Sequence, residues 1–547
     1  MRAGRVLFLV LGTSILLTCS RKPESPRLVV FLVLDQCRPD VITRYEPLYR
    51  DGFRWLLDHS LTCTQVFHQH GYTATGPGHF TLSTGSYPGP AGILGNNWWS
   101  RTLRRTVYCV EDTQALLLGG EGPGRSYRNT STPALGDWLQ AQYPDAKVVS
   151  VAGKDRASIF LGGRRPDVCI WYNWDGHFVT SNYYADSIPD WLARFNSTSH
   201  IETYRDSMWT KSLPDSVYLK YARDDFFPGE VDSYRKDPYS PVFPIGFDHG
   251  DPPEKALKMI GGTPWLDRLT LQAAEAAIQG ERLGADDSPD LLFLSLSGVD
   301  WMIHYFGPYS QEVMDSQIKL DKELGHFFRT LDTVVGLDRV LVVQTADHGG
   351  LPLPEYLSQV RGQAAGRINA PLRKAVTRAL NEDLQRRTGI ENLVTVEGPG
   401  LYIDHPRLEE TTVPLEEIKD VIRSYYEKIP GIGRILFLED LLAATPSDTL
   451  EWYLKHTMNE QGPDAWALEK RNWVWKYPFG TGHGSPYSYD RKVPLRWARS
   501  QFSRSEYAAE IHTIDLAPTL AAYLGVTPPD SVDGVVRDEI VSFLKGD

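Results

Sequence analysis

Four short stretches of this chain are apolar almost without interruption: LVVFLVL at Leu28–Leu34, KVVSV at Lys147–Val151, LLFLSL at Leu291–Leu296 and VLVVQ at Val340–Gln344. A strand with one wet face alternates apolar and polar residues, whereas a strand buried on both faces reads as a continuous run. Helical patterns lie between these runs. Ser310 is placed to cap a segment in which Val313, Ile318, Leu320, Leu324, Phe327 and Phe328 keep roughly a 3.6-residue period. Pro371 to Arg387 reads as a second helix, and "TIDLAPTLAAYLGV" near the end as one that rejoins the core. Buried strands alternating with helices predict an α/β fold, a doubly wound and mostly parallel sheet flanked by helices. Two stretches break that rhythm. Trp171 to Pro264 is rich in Trp, Tyr, Pro and Asp, and Leu351 to Trp475 holds helices and a strand-like run at Leu393 to Ile403. Both are expected as cap insertions, near 171–264 and 351–475, in one catalytic domain over residues 25–547.

The N-terminus carries Arg2 and Arg5, then an apolar run from Val6 to Leu17 that is too short to span a bilayer comfortably. Leu17-Thr18-Cys19-Ser20 follows and resembles the site at which bacterial lipoproteins are cleaved and acylated, although Leu17 and Thr18 stand where smaller residues are usual. The expectation is a signal peptide over 1–18, acylation of Cys19, and export to the periplasm or to the outer membrane or cell surface of a bacterium. Membrane contact would run only through that anchor. A net charge of −12 gives no support to nucleic acid as a specific partner. Cys37, Cys63, Cys109 and Cys169 either pair in an oxidising compartment or serve as small buried residues. No CxxC occurs, so a cysteine-based zinc site is not expected.

Each apolar run delivers reactive groups at its carboxyl end, where open α/β sheets collect function. The first ends at Asp35, the second leads to Lys154-Asp155-Arg156, the third to Asp300 and His304, and the fourth to Asp347-His348-Gly349-Gly350. Asp300 and His304 are four residues apart and share a face on a helical turn. Carboxylate oxygen with imidazole nitrogen is a zinc ligand set. His483, flanked by glycines in "GTGHG", is the best candidate for a third imidazole. Asp58-His59, Asp248-His249 and Asp404-His405 are further Asp-His pairs, but their settings argue against a ligand role.

The ordered set "VLDQCRPD", "TGPGH", "GILGNNW", "GKDR", "SGVDWMIHYFGP", "TADHGG", "GTGHG" and "TIDLAPTLAAYLG" resembles the alkaline phosphatase superfamily. Within it, the set is similar to the branch shared by nucleotide pyrophosphatase/phosphodiesterases and the phosphate-irrepressible, PafA-type bacterial phosphomonoesterases. The resemblance runs from roughly residue 27 to 535. It implies an alkaline phosphatase-like fold and two Zn²⁺ ions, one held by Asp300, His304 and His483, the other by Asp35, Asp347 and His348. It implies that Thr75 is the nucleophile and is transiently phosphorylated, and that Asn96, Lys154 and Arg156 bind the phosphoryl group of small-molecule phosphate esters. Pro77 suits an early helical position, so Thr75 stands at a helix start whose amides favour negative charge. If residues 154 to 156 are extended, Lys154 and Arg156 point to one side and Asp155 to the other. Diesterases of the superfamily lack this Lys-x-Arg pair, so a phosphate monoesterase is expected, with a phosphodiesterase or nucleotide pyrophosphatase as the alternative. A sulfatase is disfavoured because "CRPD" at Cys37 has the wrong spacing. A non-catalytic surface lipoprotein is disfavoured by the intact set of ligands. The aromatics Trp171, Tyr172, Trp174, Tyr183 and Tyr184 either shape an access route or pack a cap.

Overall fold

The computed structural model describes residues 25–198, 204, 207–231, 242–246, 257 and 259–546. The leader, Cys19 and the Asp248-His249 pair lie outside the described residues. Eleven strands form the central sheet: β1 (Leu28–Leu34), β2 (Ser60–Phe67), β3 (Glu111–Leu118), β4 (Pro123–Arg125), β5 (Val148–Ala152), β6 (Val168–Tyr172), β7 (Phe178–Ser181), β8 (Asp290–Leu296), β9 (Val340–Thr345), β10 (Leu495–Ala498) and β11 (Ser505–His512). Their spatial order is β11-β2-β10-β9-β1-β8-β5-β6-β7-β3-β4. The four apolar runs are neighbours in the middle of this sheet, and the block β9-β1-β8-β5-β6 is parallel throughout. Every residue of β1, β5, β8 and β9 is buried. Away from that block the sheet is mixed, with β10 antiparallel to both β9 and β2 and with β7, β3 and β4 antiparallel at the other end. The mostly parallel reading thus holds for the centre. The flanks differ because β7 and β10 are returned by a hairpin and a loop rather than by helical crossovers, whereas β2, which follows the helix Gly52–Asp58, keeps the direction of the central block. The short β7 and β10 and the partly polar β2 do not announce themselves in sequence.

Five helices matter for the site: α1 (Thr75–Thr84), α2 (Asp155–Gly162), α3 (Pro264–Glu281), α4 (Gly298–Phe306) and α5 (Gln311–Val334). Ser310 caps α5, its hydroxyl accepting from the Val313 amide at 3.1 Å. Asp267 of α3 is buried and accepts from the Gly298 amide at 2.7 Å, which fixes the positive end of α4. The stretch from 171 begins inside β6, where Trp171 still pairs with Ala152 and Val179. Residues 351–475 build a separate four-stranded antiparallel sheet (Val394–Glu397, Gly400–Ile403, Ala465–Glu469, Ile432–Phe437) covered by helices Ala370–Thr388 and Leu415–Tyr426. That layer has its own apolar core, including Leu380, Leu384, Ile418, Ile422 and Phe437. Leu516–Tyr523 is the helix that rejoins the main body.

Cys37, Cys63, Cys109 and Cys169 are all free and buried, and burial pushes the Cys63 and Cys169 thiols up to about 12. Of the two readings of these cysteines, the structure selects the small buried residue.

All ten residues of α1 are buried, and its first turn passes close to Asp347, just past the end of β9. A Cβ built on Gly78 would lie 2.2 Å from the Asp347 carbonyl oxygen, a backbone atom that cannot step aside. The absence of a side chain at Gly78 therefore sets how near α1 comes to Asp347. Gly78→Ala is expected to cost about 1–3 kcal/mol by overpacking, read as a lower midpoint in urea unfolding. An unchanged midpoint would show that the helix has room to move.

Candidate active site

The register of the parallel strands assembles the site before any side chain is considered. Leu34 pairs with Leu296, Val33 with Thr345, and Ser295 with Ala152. Continuing each ladder past its end brings Asp35, Asp347 and Lys154 to one level at the carboxyl edge. Gln36 then turns the chain with a left-handed φ of 56°, and its amide donates to Asp347 Oδ1 at 3.0 Å. Asp300 and His304 come in from α4, one turn apart, with His304 Nε2 3.3 Å from Asp300 Oδ1. His483 arrives from the loop after the cap sheet, its Nε2 3.7 Å from Asp300 Oδ1 and its ring stacked on His348 at 3.6 Å.

These groups suit metal ions in a specific way. The Nδ1 atoms of His304, His348 and His483 lie 2.7, 2.9 and 2.6 Å from the carbonyls of Thr481, Gly349 and Thr73. A carbonyl can only accept, so each Nδ1 carries the proton and each Nε2 presents a lone pair to the site. Burial holds His348 and His483 below the usual imidazole range, which keeps them neutral. Asp35 Oδ1, Asp347 Oδ2 and His348 Nε2 are buried without a hydrogen-bond partner. Buried polar atoms are rarely left so, and this donor set fits divalent metal.

Donor atoms of Asp300, His304 and His483 lie within 4.8 Å of one another, as do those of Asp35, Asp300 and His348. The first group is the expected one. In the second, Asp300 stands where Asp347 was expected, because the Lys154 ammonium sits 2.6 Å from both Asp35 and Asp300 and draws them together. Asp347 Oδ2 remains 3.3 Å from His348 Nε2. Burial, then the charge on Asp347, raises the Asp35 carboxyl well above its usual range. Burial also acts to raise Asp300, but nearby positive charge, Lys154 first, outweighs it and holds that carboxylate low.

Thr75 is the first residue of α1, after Ala74 in extended conformation. Asn96 Oδ1 accepts from the Gly76 amide at 2.7 Å, which leaves its Nδ2 as a free donor beside Thr75. Arg156 Nη2 lies 3.4 Å from Thr75 Oγ1. Lys154 and Arg156 do not share an extended segment as expected. Lys154 is the extended residue before α2 and Arg156 lies in its first turn, because a helix begins at Asp155. Asp155 does turn away, to the Tyr108 hydroxyl at 2.5 Å and Arg125 Nε at 2.8 Å.

The remaining Asp-His pairs are structural. His405 binds Asp464 at 2.6 Å and Asp404 pairs with Arg104, while His59 meets the Phe502 carbonyl and Asp58 pairs with Arg54. His79 is a site residue that sequence reasoning passed over. Its Nδ1 is 2.9 Å from the Thr75 carbonyl and 3.2 Å from Asp347 Oδ2, and its Nε2 is 2.8 Å from Ser295 Oγ. The signal was present, since His79 follows Thr75 by one helical turn as His304 follows Asp300. Trp171, Tyr172 and Trp174 line a cavity beside Lys154 and Arg156, whereas Tyr183 and Tyr184 pack against a buried cluster.

Tyr108 positions the arginine. Burial and Asp155 hold its phenol well above the usual range, so it stays protonated, donates to Asp155 and accepts from Arg156 Nη1 at 3.2 Å. Arg156 Nε is buried without a partner, so the Nε–Nη2 edge is available to grip an anion. Tyr108→Phe is expected to lower kcat/KM on a phosphate ester about 10-fold with an unchanged circular dichroism spectrum. An unchanged rate would mean that the arginine is held without the phenol.

The fold and this site have recorded counterparts. The profile of the family described as type I phosphodiesterase / nucleotide pyrophosphatase matches residues 29–490. Alkaline phosphatase PafA of Elizabethkingia meningoseptica is 29% identical over 528 residues, 94% of this chain and 94% of that protein. Alkaline phosphatase PhoV of Synechococcus elongatus is 28% identical over 520 residues, 94% of this chain and 92% of that protein. The crystal structure of PafA superposes with a TM-score of 0.86 over 94% of this chain and 99% of that one, at 29% identity. Murine ectonucleotide pyrophosphatase / phosphodiesterase 5, 14% identical with a TM-score of 0.50 over 95% of this chain and 100% of that one, shares the fold. The chain therefore belongs to the type I phosphodiesterase / nucleotide pyrophosphatase family and is an enzyme that hydrolyses phosphate esters.

Proposed function

We propose that the chain is a zinc-dependent phosphate monoester hydrolase acting on small-molecule phosphate esters through a phosphothreonine at Thr75. The observation that carries this reading is the pair of cations at the nucleophile. Lys154 is buried between two carboxylates, and Arg156 donates to the Thr75 hydroxyl through Nη2 with its neighbouring Nε left without a partner. A monoester presents a dianionic phosphoryl group, which repays two cations in a dry site more than a singly charged diester does. Several relatives of nearly full length are named alkaline phosphatases, which supports the same choice.

Two zinc ions, one held by Asp300, His304 and His483 and the other by Asp35, Asp347 and His348, would supply Lewis-acid charge for the attacking and leaving oxygens. The chain's own residues do the rest. Thr75 Oγ attacks phosphorus from the start of α1, where the helix dipole favours the negative charge gathering there. Arg156 grips phosphoryl oxygens through Nε and Nη2. Asn96 Nδ2 donates to another, its orientation fixed by the Gly76 amide. Lys154 has three N–H donors, and two are taken by Asp35 and Asp300, so one remains for substrate. The departing alcohol takes the ester oxygen. Water then attacks the phosphothreonine and restores the hydroxyl. The leader supports export to the periplasm or cell surface, with Cys19 as the acylation site.

The second reading, a phosphodiesterase or nucleotide pyrophosphatase using the same residues, is favoured by the family description itself. Kinetics on 4-nitrophenyl phosphate and bis(4-nitrophenyl) phosphate separate the two, because the leaving group is shared. Wild type is expected to prefer the monoester. Lys154→Ala/Arg156→Ala is expected to cut monoester kcat/KM by at least about 10²-fold and diester kcat/KM much less. Equal losses would assign the pair to the fold or the metal site, and a wild-type preference for the diester would install the second reading.

A further inference from the structure

The phosphoryl-binding cations form one end of a cavity of about 630 Å³. A phosphoryl group fills a small part of that volume, which lies in the range of sites for whole organic ligands. The walls beyond the cations are rings. Tyr172 comes from β6, Trp174 from the loop that follows it, and Trp301 and Tyr305 from α4. Trp301 and Tyr305 are one turn apart, and each follows a ligand candidate, Asp300 and His304. The helix that offers a carboxylate and an imidazole on one stripe thus presents two aromatic rings on the next.

The four rings are in contact. Trp174 meets Tyr172 at 5.6 Å and Trp301 at 5.8 Å, both nearly perpendicular, and Trp301 lies 6.1 Å from Tyr305. Trp174, Trp301 and Tyr305 are only half-buried, so apolar ring surface is left facing the cavity. A contiguous apolar surface left wet in this way marks a binding site more often than a packing fault. The indole N–H of Trp301 is buried and has no acceptor, although such a group normally finds one. Aromatic walls of this kind suit a flat ring.

We propose that this cavity is a subsite for an aromatic leaving group, so that the enzyme selects phosphate monoesters of ring-bearing alcohols, aryl phosphates above all. The proposal rests on the monoesterase reading for the reaction and on the cavity alone for the selectivity. Trp174 is the specificity-determining residue, because it touches Tyr172 and Trp301 and stands apart from the groups that hold phosphate or metal. Its ring stacks against the substrate ring, and the phosphoryl group is left between Lys154 and Arg156.

The test compares kcat/KM for 2-naphthyl phosphate with that for glycerol 2-phosphate in wild type, Trp174→Ala and Trp174→Phe. The naphthyl-to-glycerol ratio is expected to fall about 10-fold in Trp174→Ala and to be largely restored in Trp174→Phe. Trp174→Leu carries the same comparison should the alanine variant fail to fold. An unchanged ratio would overturn the proposal. Calorimetry with 2-naphthylphosphonate and methylphosphonate, which the enzyme cannot hydrolyse as esters, reads the subsite without turnover. Wild type is expected to bind the naphthyl compound about 10-fold more tightly or better, and Trp174→Ala to lose that advantage. If no monoester were turned over and the advantage persisted, the ring subsite would stand and the monoesterase reading would fall. If monoesters were turned over with no such advantage, the subsite would fall alone.

Discussion

Three carboxylates, Asp35, Asp300 and Asp347, are gathered at one edge of the central sheet and almost wholly removed from water. Like charges in a low-dielectric place repel strongly, and each loses its hydration. The raised Asp35 carboxyl records that cost, since burial comes first among its causes and the Asp347 charge second. Such a cluster persists only if cations are supplied. Lys154 supplies one, and it is held between Asp35 and Asp300 at 2.6 Å from each. The imidazoles of His304, His348 and His483 surround the same point with Nδ1 engaged by a carbonyl, and orphaned oxygens remain on Asp35 and Asp347. The site is built with a deficit of positive charge, which suits divalent metal, and such ions together with Lys154 and Arg156 would supply the positive charge that an anionic phosphoryl group needs.

The rest of the structure serves this arrangement. Parallel register levels the strand ends, Asp267 fixes the start of α4, and Gly78 lets α1 reach Asp347 so that Thr75 faces the cluster. Tyr108 and Arg125, from two different strand pairs, lock Asp155, and Tyr108 also holds the arginine that reaches Thr75. The Thr75 hydroxyl, an arginine edge and the Asn96 amide therefore converge from three different elements. Preorganisation of this kind lets charge stabilisation act without reorganisation during the reaction.

The centre of the sheet was legible because strands buried on both faces leave continuous apolar runs. Those runs also located Asp35, Lys154, Asp300 and Asp347, each of which stands at or just past a strand end. The roles of Thr75 and Asn96 came through the resemblance of ordered motifs, since a threonine before a Gly-Pro-Gly turn has no distinctive pattern of its own. The flanking strands were missed where their residues are shorter or half-exposed, as in β2 and β7. The shared side of Lys154 and Arg156 was expected from an extended segment, yet the helix starts at Asp155. Tyr108 and Arg125 could not be found from sequence, since their link to Arg156 is a tertiary contact between segments far apart in the chain. His79 could have been found by the one-turn spacing that identified His304.

The central claim is that Thr75 carries the phosphoryl group between two displacements. The direct measurement is acid-quenched reaction with ³²P-labelled monoester, followed by peptide mapping of the labelled residue. The account predicts label on Thr75 in wild type, and none in a Thr75→Ala variant that still folds and still binds metal. Label on another residue, or turnover in Thr75→Ala at the wild-type rate, would contradict it.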